Sequence, residues 1–313
     1  MRTRRLRWFG AMAVAAALVG SAAGSHVSAA PGPSSAREAA SLTAIKRHTY
    51  RMAGRVRPLL FWIGRDNVGS ARIVWREDAG KGRGYELLVG TDPARTPRGI
   101  NRWGFIAEQV EGRDGRLLAV MSKSDEASLG EAQASADGAS AGREYKAMRA
   151  SLDRGTLSWQ VASIRTPTAL TISELEPLLD RARVETSAAQ ARSRPVPGDA
   201  RPGFLVAVAE LVDRAVAARR AHAPLDALRG ATVPYVFGQQ SYELRFTRIA
   251  PATLARPGGD VQGCASAFEI RNLSTGQRTA FEMSFASDGE LAGVPVAIAW
   301  QPRWWLKVEL ALE

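Results

Sequence analysis

The chain has 313 residues, with 42 Lys or Arg against 31 Asp or Glu and a net charge of +11. With 45% hydrophobic and 23% charged residues, its composition is that of a globular protein and excludes a largely disordered chain. A single cysteine excludes an intrachain disulfide. Three histidines scattered along the chain, with one thiol, do not suit a zinc or copper site, so we expect no metal and no cofactor.

The first thirty residues have the three-part pattern of a secretory signal peptide. Residues 1–7 contain four arginines and no acid, residues 8–20 are apolar, and residues 21–30 are small and polar. The apolar run of about 13 residues is shorter than the roughly 20 that a membrane-spanning helix needs. The pattern predicts cleavage near Ala29 or Ala30 and an exported protein, periplasmic or secreted; an uncleaved N-terminal anchor is the alternative.

Positive charge is unevenly distributed along the rest of the chain. Removing the four leader arginines from the net charge of +11 leaves +7. Residues 51–102 hold eleven Arg or Lys against five Asp or Glu, an excess of six. Such a segment predicts a local basic surface that could meet anionic lipid or polysaccharide, with an ordinary solvated arginine-rich face as the alternative. Export argues against nucleic acid as a partner.

The first half of the chain is predicted to be rich in β-strands. Runs of β-branched and aromatic residues between glycine-containing turns are typical of strands. They cover residues 50–52, 57–63, 71–75, 85–89, 103–110, 117–121 and 155–165. Before them, residues 31–49 are expected to be a linker followed by a short helix over residues 36–48, and a turn is expected at residues 64–69. Residues 124–142, a low-complexity stretch of Ser, Ala, Gly and acids, are predicted to be a loop or a frayed helix.

Two helices are predicted in the middle of the chain. Ser173 and Glu176 have the spacing of a capping box, which predicts a helix over residues 173–191. Apolar residues from Leu205 to Val216 recur with a period of 3.6, which predicts an amphipathic helix over residues 203–221. Packing on a sheet explains this helix better than membrane binding, because acids interrupt its basic face.

The last 75 residues alternate apolar and polar positions, the period of strands with one buried face. They predict an antiparallel meander, with turns at residues 274–276 and 287–289. The final strand, residues 304–312, is expected to be tied into the sheet.

Two arginine–tryptophan pairs are the candidate ligand contacts. Arginine can bind an anion bidentately, and the tryptophan ring offers a stacking surface. The first pair is Arg102 and Trp103, preceded by Arg98; the second is Arg303 and Trp305. The alternative for each is structural: Trp103 packs into the core, and a helix covers Trp305. No motif for a catalytic nucleophile or a phosphate-binding loop is present, so no catalytic residue is assigned.

We therefore expect one mature α+β domain over residues 50–313. It would contain a β-rich half (50–170), a helical segment (171–222) and a C-terminal β-meander (233–313). The fold would be an antiparallel β-rich sheet, with a curved half-barrel as one form of it, and two or three packing helices. This rhythm resembles that of periplasmic half-barrel carriers of lipids and lipoproteins, but no motif is shared and no residue role is carried over.

The expected function is that of a non-enzymatic envelope or secreted binding protein for an apolar or amphipathic ligand. The partners would be a lipid, an amphipathic small molecule or an envelope protein, with no membrane span after signal cleavage. Two alternatives stay open. One is a hydrolase-type enzyme whose site is assembled from scattered residues, and the other is a structural or assembly partner.

Overall fold

Fourteen strands form one sheet in the part of the chain that the structure describes. The computed structural model describes residues 42–57, 62–78, 82–96, 101–122, 143–166, 170, 172–303 and 306–313. The strands of the first half are β1 (Thr43–Val56), β2 (Ile63–Glu77), β3 (Arg83–Thr91), β4 (Trp103–Glu111), β5 (Asp114–Ser122), β6 (Arg143–Asp153), β7 (Thr156–Thr166) and β8 (Arg192–Pro195). Those of the second half are β9 (Thr232–Phe237), β10 (Gln240–Leu254), β11 (Val261–Asn272), β12 (Arg278–Ala286), β13 (Pro295–Arg303) and β14 (Leu306–Leu312).

The sheet consists of two antiparallel meanders joined by the pairing of β1 with β14. Its order is β8-β7-β6-β5-β4-β3-β2-β1-β14-β13-β12-β11-β10-β9, so every neighbouring pair except β1–β14 is consecutive in the chain. In the joining pair, Tyr50 lies opposite Leu312 and Val56 opposite Leu306. The predicted α+β class, with a sheet built from both halves of the chain, is confirmed.

The sheet is open but strongly curved. A flat sheet of fourteen strands would hold its edges about 60 Å apart, at roughly 4.8 Å per strand. Instead, Arg194 on edge strand β8 donates hydrogen bonds to the Ser241 hydroxyl at 2.8 Å and to the Gln239 carbonyl at 3.2 Å, beside the other edge. The Arg201 N–H also donates to the Pro234 carbonyl of β9 at 2.8 Å. The two edges therefore lie within reach of one side chain.

Two α-helices, α1 (Glu176–Ala188) and α2 (Phe204–Arg220), pack on opposite faces of this sheet. Neighbouring residues of β5 show the division, since successive side chains of a strand point to opposite faces. Val120 belongs to the apolar cluster that contains Leu178 of α1, whereas Ala119 belongs to the cluster that contains Leu211 of α2. We call the face that carries α2 the inner face and the face that carries α1 the outer face.

Helix α2 lies inside the curve. It contacts β9 and β10 on one side and β3 and β4 on the other. Its apolar residues share one large cluster with side chains of β4–β7 and β9–β12. Among the described residues, neither helix has the length and apolar character needed to cross a bilayer.

Three sequence predictions about local structure are wrong. Residues 43–48 of the expected short helix belong to β1, because strand pairing with β2 outweighs local helix propensity. Residues 64–69 lie within β2, where a register shift opposite Met52 and Gly54 absorbs the expected turn. Helix α1 begins at Glu176 with Leu175 as N-cap and no side-chain cap, so the predicted capping box does not form. Residues 36–41 and 124–142 lie outside the described residues.

Candidate functional site

Trp103, the first predicted stacking surface, is a core residue. It is 1% exposed, its ring stacks on Tyr145 with centroids 5.0 Å apart, and its indole N–H donates to the Leu170 carbonyl at 3.1 Å. Burial leaves no face of the ring exposed to solvent, as the structural alternative expects. The neighbouring Arg102 is half-buried, and its backbone N–H donates to the Thr91 hydroxyl at 2.8 Å.

Of the other predicted contacts, Arg303 lies among the described residues. Arg303 ends β13, and four strands (β3, β2, β1 and β14) separate β13 from β4 in the sheet. Arg98 and Trp305 lie outside the described residues. Arg102, just before β4, and Arg303 are therefore separated in the strand order of the sheet.

A cleft of about 680 Å³ opens where the β2–β3 hairpin and the β4–β5 turn meet the first half of α2. We call it the α2 cleft, and its lining residues come from four separate segments of the chain. They are Glu77, Asp78, Gly82, Arg83, Tyr85, Val110, Gly112, Arg201, Val206, Glu210 and Asp213. Four carboxylates and two guanidinium groups thus surround a smaller apolar part.

The alternation of β2 and β3 directs one set of side chains into this cleft. Glu77 pairs with Arg83 and Trp75 pairs with Tyr85 across the two strands, and all four lie on the inner face. The hairpin is held by Asp78, whose carboxylate accepts the Gly82 N–H at 3.0 Å. The strand period and the hairpin closure together place acid, guanidinium and phenol groups beside α2.

Arg83 links the hairpin to the helix. Its guanidinium contacts the Asp213 carboxylate at 3.1 Å, and its charge also acts on the Tyr85 hydroxyl. Burial raises the pKa of Asp213, and the attraction of Arg83 offsets this only in part. Burial, together with the charge of Asp213, likewise raises the pKa of Tyr85. The surroundings of Asp213 and Tyr85 therefore disfavour their negatively charged forms. A bound cationic group would stabilise those forms.

Two arginines neutralise the Glu210 carboxylate of the cleft. Its carboxylate accepts hydrogen bonds from Arg201 and, at 2.5 Å, from Arg214 one helical turn away. Burial alone would raise the pKa of Glu210, but these two guanidinium groups lower it. Both guanidinium groups of the lining are thus engaged by carboxylates, Arg83 by Asp213 and Arg201 by Glu210.

Glu108 of β4 is a buried acid beside this cleft. It lies opposite Tyr85 in the sheet and is 1% exposed. Its carboxylate accepts the Val206 N–H at 2.9 Å, in the first turn of α2. Burial raises the pKa of Glu108 to about 8, against the lowering effect of backbone hydrogen bonds from Val206, Phe204 and Leu205. Glu108 thus caps the helix from a neighbouring strand.

Gly203, the residue before α2, leaves room for the Glu108 carboxylate because it has no Cβ atom. A Cβ atom on Gly203 would lie 2.2 Å from the Glu108 Cδ and Oε2 atoms. The other carboxylate oxygen of Glu108 and the hydroxyl of Tyr235 are buried without a hydrogen-bond partner. Glu108 therefore has a structural role in holding α2, and it does not line the cleft.

The α2 cleft is suited to binding. Tyr85, Val110 and Val206 offer apolar contact, and the acids around them offer charge. Within the described ranges, no three His, Cys, Asp or Glu side chains converge as a metal site.

Sequence reasoning missed the cleft because its residues are far apart in the chain and individually unremarkable. One signal was available for Glu108. In the alternating stretch Ile106, Glu108 and Val110, the glutamate occupies the apolar face, where an acid needs a specific partner.

Comparison of the chain with models of protein families, with curated proteins and with solved structures finds no match to any of the three.

Proposed function

We propose that this protein is an exported, non-enzymatic binding protein that takes an amphipathic ligand in the α2 cleft. The observation that carries the proposal is the composition of the cleft wall, four carboxylates and two guanidinium groups beside Tyr85, Val110 and Val206. Such a mixture favours a ligand with a charged group and an apolar part.

The charged group of the ligand is cationic. In the described lining, carboxylates outnumber guanidinium groups, and Arg83 and Arg201 are each bound by an acid. A ligand amine or quaternary ammonium group would offset the net negative charge of the described lining, and the ring of Tyr85 would favour such a cation further. Export is supported by the leader-like pattern of residues 1–30.

Titration calorimetry with three dodecyl amphiphiles below their micelle concentrations tests this function. We expect dodecyltrimethylammonium to bind more tightly than neutral dodecyl maltoside or anionic dodecyl sulfate at the cleft. Asp213→Asn should weaken binding of the cation about fivefold, the effect of removing one partly exposed charge. Asp180→Asn is the matched control, because Asp180 also pairs with an arginine on a helix but lies on α1, away from the cleft.

Equal effects of the two Asn variants on the affinity for dodecyltrimethylammonium would contradict the proposal. Native mass spectrometry of protein purified from its own envelope gives an independent test. A co-purifying amphiphile that is lost from the Asp213→Asn variant would support the assignment.

A hydrolase-type enzyme is the second candidate, favoured by one observation. Asp213 has a raised pKa and lies beside Arg83 and Tyr85 in an open cleft, which are properties of acid–base groups in active sites. Turnover of a panel of ester and glycoside substrates, abolished by Asp213→Asn and retained by Asp180→Asn, would favour this function over binding alone.

A further inference from the structure

Three cationic residues come near one another beyond the α2 cleft. Lys46 and His48 lie on β1, and Arg256 lies at the tip of the β10–β11 hairpin. We call these three residues the cationic cluster. All three are half-buried.

Strand register places Lys46 and His48 beside the apolar side chains of Trp75 and Ile73, which we call the apolar floor. Lys46 lies opposite Trp75 and His48 opposite Ile73, and the His48 ring meets the Trp75 ring edge-on at 5.8 Å. Trp75 in turn lies opposite Tyr85 of the cleft. The cationic cluster and the cleft therefore share a continuous inner surface, with Lys46 and Tyr85 about 10 Å apart across two strand spacings.

The β10–β11 hairpin brings Arg256 near this floor. Leu254 and Val261, at the two sides of the hairpin, belong to an apolar cluster with Leu291. Leu291 also packs in the cluster that contains Trp75 and Ile73. Arg256 thereby comes close enough for its charge to act on His48.

The positive charges of this cluster are not neutralised by ion pairs within the described part of the chain. Among the described residues, no carboxylate forms an ion pair with Lys46 or Arg256, and the Arg256 Nε–H is buried without a hydrogen-bond partner. The charged groups that act on His48 are Lys46 on its own strand and Arg256 on the facing hairpin. Burial first, and then these two cations, lower the pKa of His48, as expected where an anion would complete the site.

We propose that Lys46, His48 and Arg256 form an anion-binding site for the phosphate monoester or carboxylate group of a ligand whose apolar part lies on Trp75 and Ile73. Arginine and lysine supply charge and donors to such a group, and the neutral imidazole supplies one N–H. The half-buried floor supplies the apolar contact. This site goes beyond the proposed function and depends on none of the residues of the α2 cleft.

Proton NMR of the histidine rings tests the anion site directly. The full chain is titrated with inorganic phosphate at constant ionic strength, adjusted with sodium chloride. We expect the His48 resonance to shift along a saturable curve and its pKa to rise, because a bound anion favours the imidazolium form. His222, exposed after the end of α2, serves as the internal reference and should not follow that curve.

Matched substitutions separate binding from nonspecific charge effects. Lys46→Gln and Arg256→Gln should each weaken phosphate binding about tenfold, the loss expected for one charged hydrogen bond. Lys307→Gln and Arg248→Gln, which remove cations that pair with Glu309 and Glu282, should leave it unchanged. A non-saturating His48 shift, or equal effects of all four variants, would overturn the proposal.

Dodecyl phosphate below its micelle concentration distinguishes the headgroup of an amphiphile from a free anion. If the ligand's apolar part lies on the Trp75 floor, dodecyl phosphate should bind at least tenfold more tightly than inorganic phosphate. Trp75→Ala should remove that advantage while phosphate still shifts His48. Equal affinity for the two phosphates would overturn the assignment of the apolar floor. The effect of Asp213→Asn on cleft binding has no bearing on this result, because binding at the anion site is followed by the His48 NMR resonance.

Discussion

The Glu108 carboxylate accepts a 2.9 Å hydrogen bond from the Val206 N–H, although the two residues are 98 positions apart in the chain. This contact anchors the N-terminus of α2 to β4, inside the curved sheet. Helix α2 has Gly203 as its N-cap and no side-chain cap of its own. An acid on the apolar face of a strand therefore accepts the hydrogen bond from the helix N-terminus that a local Ser, Thr or Asp usually accepts.

Glu108 should make stability fall with rising pH. Its folded pKa is about 8, above the ordinary value of 4.5, so the folded protein retains a proton that the unfolded chain releases. The free energy of unfolding should therefore decrease from about pH 5 to about pH 8, and Glu108→Gln should remove this slope. Urea denaturation at several pH values measures it.

Glu309→Gln is the control for that slope. Burial would raise the pKa of Glu309, but hydrogen bonds from Lys307 and Arg55 lower it, so its contribution is lost only in acid, below the window tested. A slope that persists in Glu108→Gln, or disappears in Glu309→Gln, would contradict the role of Glu108.

Gly203→Ala should destabilise the protein by about 2 kcal/mol or more, because the new Cβ would lie 2.2 Å from the Glu108 carboxylate and force it from the helix end. Gly198→Ala is the matched control, since no atom lies within 4 Å of its Cβ position. Chemical denaturation compares the two. Equal stability of both variants would show that α2 can shift to admit the methyl group.

Trp103→Ala should cost about 3–5 kcal/mol, the usual loss for a large aromatic side chain in a core. The variant removes the stack on Tyr145 and the hydrogen bond to Leu170. Trp62→Ala, at a side chain 38% exposed, should cost about 1 kcal/mol or less. Melting temperatures distinguish the buried residue from the exposed one, and similar shifts would restore the surface assignment of Trp103.

Deletion of residues 304–313 should abolish soluble expression. Strand β14 pairs with β1 on one side and β13 on the other, so its loss would expose two strand edges and separate the two meanders. Glu313→Ala, just after the strand, should express normally. Normal yield and melting temperature of the deletion would show that β1 and β13 can close the gap.

Cys264 should be unreactive in the folded protein. The thiol is buried, and burial raises its pKa despite the nearby charge of Arg219. Iodoacetamide should label it only after addition of denaturant, as followed by mass spectrometry. Rapid labelling without denaturant would indicate local opening of β11.

The fold was predictable from the sequence where its period is regular. The alternation of β10–β14 and the helical period of α2 identify their buried faces without tertiary information. The prediction failed at residues 43–48 and 64–69. Local propensity there is ambiguous, and pairing of β1 with β2 decides the structure.

The candidate sites were less accessible to sequence reasoning. A polar residue is informative only when its neighbours are known, and the neighbours of Asp213, Arg83 and Lys46 come from distant segments. Trp103 shows the converse. Its chemistry suggested a ligand contact, but packing against Tyr145 makes it part of the core.

The sequence by itself determined the α+β class, the antiparallel strands and the amphipathic helix α2, because these depend on local periodicity. Only the tertiary structure decided that β14 joins two meanders, that the sheet curls round α2, and that Glu108 meets Val206. The physical reason is that these features depend on contacts between residues far apart in the chain, whose free energy appears only when the whole sheet is assembled.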